Sequence, residues 1–116
     1  MSNYKIDRER WAQLSIYEQM GNIGSEVGRA IKARRTGREE RVEGAIVRAL
    51  DLFNATTEQL VVEKSPRLKE VLRARNEFLR LFYDDTFDTD ADAIERYFTQ
   101  FAIANRNIKA QNSLTK

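Results

Sequence analysis

The side chains of this chain with the plainest chemistry are its arginines and lysines, and they are clustered. Lys32, Arg34, Arg35, Arg38 and Arg41 follow one another closely, and Lys69, Arg73 and Arg80 recur at spacings of four and seven that put them on one side of a helix. Guanidinium forks match phosphate oxygens, and each neutralised phosphate releases counterions. These eight residues are therefore the candidate nucleic-acid contacts. A local reading competes with this one, because cations at a helix C-terminus and acids at the next helix start are what the helix dipole favours. Asp84, Asp85, Asp88, Asp90, Asp92 and Glu95 supply opposite charge further along the chain.

That acidic stretch has a second reading to test. Asp84, Thr86, Asp88, Asp90, Asp92 and Glu95 match the one, three, five, seven, nine and twelve spacing of a calcium-binding helix-loop-helix. Position six is Thr89, where such a loop needs glycine, and there is no second loop to pair with, so no metal is expected. The chain has no histidine and no cysteine. This removes thiolate and imidazole ligands, the Glu-x-x-His pairs of carboxylate di-metal bundles, and most nucleophile and acid-base constellations. It also removes the arginine-histidine motif of HEPN-type ribonucleases, since neither Arg96 nor Arg106 is followed by a histidine. Only carboxylates and tyrosines remain for catalysis, with no inward acidic pair at helical spacing. The expectation is a protein that is not an enzyme and needs no cofactor. Arg75 falls within an apolar stripe between Leu72 and Phe78 or Leu79, where a charge is costly unless paired. Glu26 and Asp51 are its candidate partners in a buried ion pair.

The elements that position these groups read as helices. Ser15 and Glu18 form a capping box for a helix over 15–35, with Met20, Ile23, Val27 and Ile31 as its stripe and Thr36-Gly37 as its stop. A second helix over 39–62 carries Val42, Ile46, Ala49, Phe53, Thr56 and Leu60. Ser65-Pro66 opens a third over 66–83, with Leu68, Leu72, Phe78, Leu79 and Phe82. Thr89 or Asp90 caps a fourth over 90–109, with Ile94, Tyr97, Phe98, Phe101 and Ile108, and a polar tail over 110–116 is expected to fray. Before these helices, Trp11 and Leu14 are expected to fold back as a short plug. The fold expected is all-α, an up-down-up-down four-helix bundle with a short N-terminal extension, in one domain over 1–116. That topology brings the first turn and the third loop to the same end, so the basic cluster and the acidic stretch meet.

Gly21, Gly24 and Gly28 interrupt the first helix at about 1 kcal/mol each relative to alanine. Close approach of another helix offsets such a cost. With Val47, Leu81 and Ile103, which lie off the main stripes, these glycines point to a packing or oligomer interface and so to a homo-oligomer. Met1 to Arg10 is polar and no long apolar run occurs, so neither a signal peptide nor a membrane span is expected, and the default location is cytoplasmic. Net charge is only +2 although 33% of residues are charged, so local placement decides any polyanion affinity.

Trp11-Ala12-Gln13-Leu14-Ser15, followed by Glu18-Gln19-Met20-Gly21-Asn22-Ile23-Gly24-Ser25-Glu26-Val27, resembles a family of small, mostly uncharacterised helical proteins of bacteria and archaea. Ala49-Leu50-Asp51-Leu52-Phe53, Leu72-Arg73-Ala74-Arg75, and Tyr97-Phe98 with Phe101-Ala102 resemble further blocks of it in the same order. In size, helix count and basic surface the chain is also similar to the accessory variability determinant proteins of diversity-generating retroelements. That resemblance implies a four-helix bundle, assembly into a ring, and binding to a reverse transcriptase and its template RNA, although those proteins are more strongly basic. Two functional expectations follow. One is an accessory protein that contacts RNA or DNA, or an enzyme of nucleic acid such as a reverse transcriptase, through arginine-rich faces. The other is a scaffold or antitoxin-like protein-interaction module with no nucleic-acid contact.

Overall fold

The computed structural model describes residues 6–114, so Met1 to Lys5 and the last two residues of the expected tail lie outside the description. Among the described residues the fold is all-α, with helices α1 (Arg8–Ala12), α2 (Ile16–Arg35), α3 (Glu39–Val62), α4 (Leu68–Tyr83) and α5 (Phe87–Leu114). None is long and apolar enough to cross a membrane. The expected plug is thus itself a short helix. Asp7 caps it by accepting from the backbone amides of Glu9 and Arg10 at 3.1 and 3.2 Å. Trp11 is buried, and its indole Nε1 donates to Thr56 Oγ1 at 2.9 Å. Thr56 donates in turn to Gln19 Oε1 at 2.9 Å, and Gln19 Nε2 donates to the Trp11 carbonyl at 2.9 Å, which ties the plug to α2 and α3.

The capping box at Ser15 and Glu18 opens α2. Its end is a Schellman turn in which the amide of Arg38 reaches the carbonyl of Ala33 and that of Gly37 the carbonyl of Arg34. Gly37 sits at φ 73°, a left-handed conformation that glycine adopts without a Cβ clash. The chain therefore reverses in three residues and α3 starts at once. Neighbouring helices run antiparallel. Gln19 near the start of α2 meets Gln59 near the end of α3, and Arg35 at the end of α2 meets Asp92 and Glu95 near the start of α5. In α4, Phe82 packs on Phe87 at the start of α5 with ring centroids 5.7 Å apart. Helix α2 packs on α3 and α5, and α4 closes the arrangement by packing on the same two.

The core contains every apolar position of the first two stripes, Met20, Ile23, Val27, Ile31, Val42, Ile46, Ala49, Phe53 and Leu60. In α4 the stripe is shifted. Val71, Ala74, Phe78 and Leu81 are buried, whereas Leu72, expected inside, is exposed. The helix also starts later than expected: Ser65 and Pro66 form a turn in which Ser65 Oγ accepts from the Arg67 amide, so α4 begins at Leu68 and not at 66. In α5, Ile94, Phe98 and Phe101 are buried as the periodicity predicts, whereas Ile108, expected on the same stripe, is exposed. This helix begins at Phe87, three residues before the expected position, because the Thr86 carbonyl accepts from the Asp90 amide and the Phe87 ring joins the aromatic cluster. It also continues through the expected tail to Leu114.

Candidate nucleic-acid interface

Two helix faces converge where the Gly37 turn reverses the chain. Arg29 and Lys32 on α2 and Thr36, which caps its end, stand three and four residues apart, and on α3 Arg41, Gly44 and Arg48 repeat that spacing, so each trio lies along one side of its helix. With Arg38 in the turn they line an open groove of about 520 Å³. Five cations and one carboxylate, Glu40, border it. Among the described residues Lys32, Arg38 and Arg41 make no ion pair, and all three are exposed.

The groove has a more ordered back. Glu26, whose side chain is only 13% exposed, accepts from Arg29 Nη1 at 2.7 Å through Oε1 and from Arg48 Nε at 3.0 Å through Oε2. A carboxylate this sheltered needs cationic partners, and it holds both guanidiniums on the groove side. This corrects the expected buried ion pair. Among the described residues Arg75 pairs with neither Glu26 nor Asp51, and Glu26 is engaged instead by Arg29 and Arg48. The Arg75 Nε is buried without a hydrogen-bond partner among the described residues, at a position beside the shifted α4 stripe and not within it.

The remaining candidates divide by what they touch. Arg34 pairs with Glu39, Nε to Oε1 at 3.1 Å, and its guanidinium lies 5.1 Å from the centre of the Phe82 ring and 5.8 Å from that of Phe87. Arg35 Nη1 donates to Glu95 at 2.7 Å while Nη2 engages Asp92. The Glu95 hydrogen bond, with the charges of Glu95 and Asp92, raises the Arg35 pKa. This is the meeting of opposite charges expected at that end, and it draws the acidic stretch onto Arg35 and away from the groove. Asp88 to Glu95 are also helical, so the twelve-residue calcium loop does not form. Arg80 pairs at 3.4 Å with Asp84, the residue that caps the end of its own helix. Lys69 and Arg73 border a different groove, between α4 and α5, with Glu70, Glu77 and Tyr97. Since α2–α3 and α4–α5 are opposite sides of the helix arrangement, these two cannot extend the first groove.

The expected packing interface also resolves into parts. A Cβ placed on Gly24 would lie 2.9 Å from Phe98 Cβ, and one on Gly21 would lie 3.0 Å from Asn105 Nδ2, so both glycines serve the approach of α5 to α2. Gly28 meets nothing within 4 Å. Leu81 is a core residue, 1% exposed, and is not available to an oligomer contact, whereas Val47 and Ile103 are exposed. Sequence reasoning passed over Arg29, Arg48 and Gly44 as site residues. Their signal was present in the matching three-four spacing on either side of Gly37, but it carries meaning only once that turn is known to lay the two faces side by side. No group of acidic residues among the described ones is placed to hold a metal ion. Comparison with protein-family models, with curated proteins and with solved structures finds no match to this chain.

Proposed function

We propose that the protein is a non-enzymatic accessory protein, an up-down-up-down four-helix bundle with a helical N-terminal plug, that binds the phosphodiester backbone of duplex nucleic acid in the α2–α3 groove. The observation that carries this reading is the convergence of Lys32, Arg38 and Arg41, all without an ion-pair partner among the described residues, on a groove backed by Arg29 and Arg48. Single-strand binders stack bases on aromatic side chains, and no aromatic residue lines this groove. Cations without stacking platforms suit a duplex contacted through its phosphates.

Fluorescence anisotropy with a labelled RNA duplex of about 20 base pairs, titrated between about 50 and 200 mM salt, tests the proposal. Contact with three to five phosphates predicts that log affinity falls against log salt with a slope of about −2.7 to −4.5, and that the double variant K32E/R41E loses about tenfold or more in affinity. Absence of binding at the lowest salt, or binding indifferent to salt, would overturn the reading.

A second reading, a protein-interaction module, is favoured by Val61 and Val62, which are 58% and 83% exposed at the end of α3. Salt-indifferent self-association or capture of a helical peptide there would favour it, since apolar contacts respond weakly to salt.

A further inference from the structure

Resting on the nucleic-acid reading above, we infer that Arg48 is the central phosphate-contacting residue of the groove, and that Glu26 and Gly44 are the positioning residues that hold it ready. Glu26 engages Arg48 through Nε alone, at 3.0 Å, and no other ion pair of Arg48 occurs among the described residues. Both terminal nitrogens are therefore left to face a ligand, in the forked geometry that matches a phosphate. The side chain is 36% exposed and borders the groove.

Gly44 explains how the guanidinium fits there. Glycine inside a helix is unfavourable, and Gly44 stands one turn before Arg48 on the same face of α3. A Cβ at this position would lie 3.2 Å from Arg48 Nη1, closer than an ordinary van der Waals contact. The bare helix backbone thus gives the guanidinium room to lie over the groove floor while Glu26 fixes its other edge. Lys32, Arg38 and Arg41 are exposed and unpaired, and must lose side-chain freedom when they bind. Arg48 has lost much of that freedom already, so its contact costs less entropy.

Two variants test the assignment, each measured for thermal melting and for affinity toward the same labelled RNA duplex. G44A is expected to melt about 2–4 °C higher, because alanine favours the helix, and yet to bind about threefold more weakly because its methyl displaces Arg48. R48K keeps the charge and is expected to melt as the wild type does, while binding about tenfold more weakly for want of the fork. Improved stability with weakened binding is a combination that a merely structural role for Gly44 does not produce. If G44A melts lower than the wild type, R48K decides alone. Wild-type binding that K32E/R41E weakens but R48K leaves unchanged would overturn the Arg48 assignment only. A wild-type protein that leaves the duplex free would overturn the nucleic-acid reading itself.

Discussion

Among the described residues, Tyr97 is one whose chemistry the fold changes strongly. Burial, reinforced by the negative charge of Glu70, pushes its phenol up from 10.0 to about 12, and its hydroxyl is buried without a hydrogen-bond partner among the described residues. Below pH 10 the group is protonated in both the folded and the unfolded chain, so its contribution to stability is fully present. Between about 10 and about 12 the unfolded chain loses the proton first, and stability falls as pH rises. Melting curves of the wild type and Y97F from neutral to strongly alkaline pH should therefore run parallel at first, with the wild type falling away above pH 10. Parallel behaviour throughout would show that the phenol is solvated in the folded state. The position of Tyr97 in its helix was legible from the periodicity of its neighbours. The shift was not, because it arises from Glu70 and the α4 surface, which the sequence separates from it by more than twenty residues.

At the scale of the elements, the three glycines of α2 separate into different roles. G24A must push against Phe98 Cβ, a rigid part of a buried side chain on the neighbouring helix, and is expected to destabilise the fold by about 1–3 kcal/mol through the forced separation of α2 and α5. G28A adds a methyl where nothing lies within 4 Å, and is expected to stabilise it by about 0.4–1 kcal/mol through helix propensity and a less flexible unfolded chain. Urea unfolding of the two variants checks both signs, and equal effects would mean that α5 does not approach α2 at Gly24. The sequence located these glycines on one strip and tied them to close packing. Which of them is in contact depends on where α5 crosses α2, and α5 itself runs beyond both expected limits, with the Phe87 contact on Phe82 at its front.

For the whole molecule, the distribution of charge matters more than its sum of +2. Three of the eight candidate contacts, Arg34, Arg35 and Arg80, are engaged by carboxylates, and Lys69 and Arg73 stand on the far side from the groove. The double variant K69E/R73E should accordingly change duplex affinity by less than about threefold at physiological salt, where screening acts over about 8 Å. A loss comparable to that of K32E/R41E would show instead that the bound duplex wraps around the helices. The sequence by itself determined the all-α class, the first two core stripes, the capping box and the stop at Gly37, because each of these is set by interactions within a few residues along one helix. The tertiary structure alone decided which cations are free. Pairing of Arg35 with Asp92 and Glu95, and of Glu26 with Arg29 and Arg48, depends on distances between helices, and a cation's availability to a ligand is what remains after those pairings are made.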